Sequence, residues 1–91
     1  MIARRLAIHG RVQGVGFRWW AERTARGLGL SGWVRNRRDA WVEAHVEGEA
    51  RAVEAFEQGC QQGPRGARVE RVVASDAEPS GRDGFEQRAT A

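Results

Sequence analysis

Gly10-Arg11-Val12-Gln13-Gly14-Val15-Gly16-Phe17-Arg18 is the stretch that organises the chain. On its N-terminal side, Ile2 to His9 places Leu6 and Ile8 on one side of a period-2 pattern and Arg5, Ala7 and His9 on the other, which reads as a first strand. On its C-terminal side, Phe17, Trp20, Ala21, Thr24, Ala25 and Leu28 recur at helical spacing, and Gly27 and Gly29 mark the end of that helix. Three glycines between a strand and a helix give a loop of unusual backbone dihedrals, or one that something approaches closely.

Further along, Ser31 to Arg37 reads as a second strand, and Asn36-Arg37-Arg38-Asp39 as a hairpin turn. Trp41 to Glu47 alternates, with Val42, Ala44 and Val46 on one face and Trp41, Glu43, His45 and Glu47 on the other, predicting a half-buried strand. Glu49 to Gln62 carries Val53, Phe56 and Cys60 on one helical stripe, stopped by Gly63-Pro64. Ala67 to Ser75 is a fourth strand. Glu78 to Gly81 is a loop, and a short strand is expected around Gly84 to Arg88 with Phe85 inward. Ala89 to Ala91 is expected to fray. The order β-α-β-β-α-β, with a short extra C-terminal strand, predicts an α+β sandwich of the ferredoxin-like type: an antiparallel sheet with two helices on one face, as one domain over residues 1–91.

Composition narrows the classes. The chain has 91 residues, 41% hydrophobic and 30% charged, enough for one core and too apolar for a disordered chain. No apolar run approaches the roughly 20 residues of a membrane span. The opening residues hold no apolar stretch of signal-peptide length, so a cytoplasmic setting is expected. A single cysteine excludes an internal disulfide, and with two histidines it makes no zinc site unless carboxylates join. All fifteen basic residues are arginine, against twelve acidic ones. This fits either a codon bias or an anion-binding surface, since a guanidinium offers a planar fork of donors.

The chemistry concentrates at the glycine loop. The first amides of a helix lack intrahelical partners and carry partial positive charge, so such a loop is either a plain connection or a concave phosphate site. Its spacing is neither that of the nucleotide P-loop nor that of the dinucleotide fingerprint. Arg18, in the first helical turn, leans back toward the loop and is placed to grip the same anion, or is one more surface arginine. Asn36 is a turn residue, or an amide that holds water near the anion. Asp39, Glu43 and Glu47 read as solvated charges, Arg35, Arg37 and Arg38 as a solvated hairpin tip, and Cys60 as core. His9 adjoins the loop, and Trp19 falls at its rim. Trp33 and Trp41 with the hairpin arginines leave open a base-stacking, nucleic-acid-binding module.

The loop from Gly10 to Arg18, followed by Gly32-Trp33-Val34-Arg35-Asn36, resembles the acylphosphatase family, and the likeness extends through Asp39, Val42-Glu43, Gly48 and Gly63-Pro64. The resemblance implies hydrolysis of the carboxyl-phosphate bond of small acyl phosphates, with no metal or other cofactor; separately, the length suits a monomer, the small net charge of +3 with Glu43 and Glu47 beside Trp41 speaks against nucleic acid, and no membrane partner is expected. The resemblance also implies that Arg18 binds the phosphoryl group, that Asn36 orients the attacking water, and that Arg11, Val12, Gln13, Gly14 and Val15 cradle phosphate oxygens through their amides. A phosphate sensor without turnover is the remaining alternative. Two departures stand out. Ala40 occupies a position where the family has glycine, which suggests a different hairpin turn, and Phe85-Glu86-Gln87-Arg88-Ala89 is more polar than the family's last strand.

Overall fold

The computed structural model describes residues 1–91. Five strands and two helices follow in the order β1 (Ile2–Arg11), α1 (Phe17–Gly27), β2 (Ser31–Asn36), β3 (Val42–Gly48), α2 (Ala50–Cys60), β4 (Arg68–Asp76) and β5 (Phe85–Gln87). In space the sheet runs β4-β1-β3-β2-β5. The first four strands pair antiparallel, while β5 lies parallel to β2. The sheet is therefore mixed at one edge rather than antiparallel throughout, because the chain reaches that edge running in the same direction as β2.

Alternation along the strands builds the core. Leu6, Ile8, Val34, Val42, Ala44 and Val46 face the helices and meet Phe17, Ala21 and Ala25 of α1 and Val53, Phe56 and Cys60 of α2. Each of the large side chains contributes roughly 1.5–3 kcal/mol when fully buried. Val69 and Val72 also pack here, although a spacing of three does not suit a flat strand. A register shift opposite His9 and Gly10 lets Glu70 bulge out and returns both valines to one face. Phe85 is buried against Phe56, with ring centroids 6.1 Å apart, and so fixes β5 although its neighbours are polar.

The other face of the sheet, bare of helices, corrects several expectations. Glu43 and Glu47 are buried, not solvated. They sit on β3, the middle strand, where neighbouring side chains close over them. Glu43 pairs with Arg5, with Arg35 at 2.7 Å and with Arg37 at 3.2 Å. Arg35 and Arg37 are thus ion-pair partners rather than a free hairpin tip, and Arg38, Asp39 and Ala40 stay exposed there. Glu47 accepts hydrogen bonds from the Ser80 and Gly81 amides and the Ser80 hydroxyl, and lies 2.6 Å from His45 Nε2. The loop between β4 and β5 folds over the sheet to reach it.

Two local expectations also change. The tail does not fray: the Ala91 amide donates to the Asn36 carbonyl at 3.0 Å, and the Arg38 amide donates to the Ala91 carbonyl at 2.9 Å. The β2–β3 hairpin keeps a glycine-type turn despite Ala40. Ala40 takes φ of 83°, the sole positive φ outside glycine, while its amide donates to the Arg37 carbonyl and the Arg37 amide to the Trp41 carbonyl. This is a turn closed by a left-handed residue, in which alanine carries the strain.

Candidate active site

The loop between β1 and α1 is shaped by what anchors it. Val12 is buried in the core and pins its start. The Gln13 carboxamide donates to the carbonyls of Arg37, at 2.7 Å, and Trp41, at 2.9 Å, and so ties the loop to the hairpin that follows Asn36. Gly14 and Gly16 adopt φ of 73° and 80° with open space around both, so glycine is required there by backbone conformation rather than by crowding.

Gly16 caps α1 with no side-chain hydrogen bond, and no acidic residue stands in the first turn. The free amides and positive end of the helix dipole are thus left without a negative partner. Arg18 follows on the first turn, its Nη1 3.5 Å from the Arg88 carbonyl beyond the end of β5. Asn36 ends β2 opposite Val42, and its own carbonyl is held by Ala91.

These elements enclose an open cavity of about 190 Å³ lined by Val12, Gly14, Gly16, Phe17, Arg18, Trp19, Asn36 and Gln87. Of the residues singled out from the sequence, Val12, Gly14, Arg18, Trp19 and Asn36 meet around it. Arg11, Gln13 and Val15 do not line it. Arg11 still belongs to β1, the Gln13 side chain is engaged with the hairpin, and Val15 packs against the core. Gln87 is a lining residue that the sequence reading missed. Period-2 alternation from inward-facing Phe85 puts Gln87 on the helix side of β5, where its amide donates to Glu22 at 2.7 Å.

Larger hollows lie elsewhere, away from Arg18 and Asn36. The one of about 430 Å³ beside Arg4 is lined by Glu57, which pairs with Arg4 at 2.9 Å. Another, of about 360 Å³, lies beside His9 and Trp41, which stack on each other with centroids 5.6 Å apart. Cys60 is no nucleophile: burial first, and the nearby Glu57 charge second, push its thiol well above the ordinary range. Burial also raises Glu43 and Glu47. For Glu43 the Arg35 hydrogen bond and the Arg5 charge outweigh it, and for Glu47 the Ser80 amide and His45 do, so that Glu43 stays below the usual carboxylate range and Glu47 falls to about 2. Neither carboxylate is suited to carry a proton near neutrality.

The Acylphosphatase family model matches residues 4–87. An acylphosphatase of Acidiphilium cryptum (strain JF-5) is 52% identical over 90 residues, covering 99% of both chains. One of Thermococcus kodakarensis (strain ATCC BAA-918 / JCM 12380 / KOD1) is 55% identical over 80 residues, 88% of each. The crystal structure of acylphosphatase from Bacillus subtilis superposes with a TM-score of 0.94 at 32% identity, covering 97% of this chain and 99% of that one.

Proposed function

The chain belongs to the acylphosphatase family and hydrolyses acyl phosphates, and from that premise we propose that the cavity between the glycine loop and Asn36 is where the phosphoryl group is attacked. The observation that carries this reading is the uncapped, acid-free start of α1 sharing one cavity with Arg18 and Asn36. In the proposed site, the loop amides between Arg11 and Val15, with Val12 and Gly14 at the cavity wall, and the Arg18 guanidinium hold the phosphoryl oxygens, the former through backbone donors and the latter through a bidentate fork.

The Asn36 carboxamide orients a water molecule on the side opposite the acyl oxygen. The water oxygen bonds to phosphorus as the phosphorus–acyl oxygen bond breaks, and the carboxylate leaves with the electron pair. Because a carboxylate is a good leaving group, positioning and stabilisation of phosphoryl charge carry the acceleration. An amide is not a base near neutral pH, so the water's proton passes to a phosphoryl oxygen of the substrate. No carboxylate or histidine lines the cavity to act as a general base, which supports this route.

The proposed enzyme is one domain over residues 1–91, a monomer in the cytoplasm, and it takes neither nucleic acid nor a membrane as partner. No helix is long and apolar enough to cross a membrane. Against a nucleic-acid platform, Arg5, Arg35 and Arg37 on the bare sheet face are engaged by Glu43. The test of the reaction is hydrolysis of benzoyl phosphate with a chelator present, across pH 5–9. Sustained turnover with no enzyme group titrating near neutrality is expected. Loss of turnover on chelation, or a protonation step near pH 7, overturns the proposed mechanism.

A further inference from the structure

An acyl phosphate has two ends, and the loop amides and Arg18 account for only one. The acyl end must pass the remaining wall of the cavity. Among the large apolar residues lining that cavity, Val12 and Phe17 are buried in the core, whereas Trp19 is 58% exposed. It is the one exposed tryptophan of the four, and leaving an indole in water forgoes the stabilisation its burial would bring. The Arg23 guanidinium lies over its ring, 4.7 Å from the centroid and one helical turn further on, which restrains the indole beside the site.

We propose that Trp19 is the acyl-binding wall of the site and that it selects acyl phosphates with an aromatic or extended apolar acyl group over acetyl phosphate. This inference rests on the assignment of the phosphoryl site to the glycine loop and Arg18. Trp19 stands immediately after Arg18 on α1, so the helix that binds the phosphoryl end also sets the position of the indole. The remaining wall residue, Gln87, offers a polar surface whose amide is already held by Glu22. An apolar acyl group therefore meets one apolar surface, and stacking on it lowers KM.

The test compares kcat and KM for benzoyl phosphate and acetyl phosphate in the native protein, Trp19→Ala and Trp19→Phe. Trp19→Ala is expected to lower the benzoyl-to-acetyl ratio of kcat/KM by about 3–10-fold, mainly through KM for benzoyl phosphate, and Trp19→Phe to recover most of the ratio. A ratio in Trp19→Ala within about twofold of the native one, or a loss equal for both substrates, overturns the proposal. Calorimetric binding of inorganic phosphate, measured in the native protein and in Arg18→Ala, separates the two claims. If phosphate binds both alike, the phosphoryl-site reading falls, and the acyl-wall proposal falls with it. If Arg18→Ala alone loses phosphate binding, the substrate ratio decides the role of Trp19 by itself.

Discussion

The Gln13 carboxamide nitrogen lies 2.7 Å from the Arg37 carbonyl oxygen, and its second hydrogen reaches the Trp41 carbonyl at 2.9 Å. One side chain thus sets the distance between the glycine loop and the strand end that carries Asn36. Gln13→Ala removes both bonds, while each carbonyl keeps a backbone donor, so the expected cost is that of two hydrogen bonds, about 1–3 kcal/mol of stability. Gln13→Glu is expected to be worse, because an ionised carboxylate only accepts and would face two carbonyl oxygens. Urea unfolding of the two variants checks the order. If Gln13→Glu is the more stable, the tie is not a donated hydrogen bond.

Asn36 is assigned to orient water, not to hold phosphate. Asn36→Ala is therefore expected to lower kcat by the equivalent of roughly 2–4 kcal/mol while phosphate inhibition stays near its native strength. Steady-state kinetics with orthophosphate as inhibitor reads both quantities. Parallel losses in turnover and phosphate binding would make Asn36 a structural residue of the hairpin.

Ala40 holds a left-handed backbone with φ of 83°. An L-residue there costs roughly 1–2 kcal/mol, and glycine recovers this less its own entropic penalty of about 0.5–1 kcal/mol. Ala40→Gly is expected to raise the unfolding free energy by about 0.5–1 kcal/mol, with kcat unaltered, as measured by denaturant titration. A loss of stability would place the strain elsewhere.

Glu47 makes stability depend on acid. Its carboxyl lies at about 2 in the folded chain against 4.5 as the ordinary value, because the Ser80 and Gly81 amides, the Ser80 hydroxyl and His45 outweigh its burial. A lowered folded value means that the stabilisation is fully present above about pH 4.5 and is lost as pH falls toward 2. The shift corresponds to roughly 3 kcal/mol. Glu47→Gln is expected to be less stable at neutral pH and to show a flatter acid limb of urea midpoint against pH. Identical acid limbs would show that other carboxylates govern the transition.

The fold was legible because the main signals agreed. Leu6 and Ile8 alternate, Phe17 to Leu28 repeats at helical spacing, and glycines stand at the breaks. That Arg18 and Asn36 line one cavity follows from the glycine loop and the strand-to-turn junction that place them. Glu43 and Glu47 were misread since alternation names the face of a strand but not its depth: on a central strand, arginines from β1 and β2 and the Ser80 loop bury a face that no helix covers. Nor could a local pattern show that Ala91 hydrogen-bonds to Asn36 from 55 positions further along the sequence. That bond follows from β5 lying beside β2. Gln87 was missed for the same reason, its role being set by a strand only three residues long.

The central claim is that main-chain amides ahead of α1 and the Arg18 guanidinium together bind the phosphoryl group. Calorimetric titration of orthophosphate into the native protein, Arg18→Lys and Asn36→Ala tests it most directly. The account predicts binding in the native protein and in Asn36→Ala, and a loss of at least about tenfold in Arg18→Lys, where a point charge replaces a planar fork. Undiminished phosphate affinity in Arg18→Lys would contradict it.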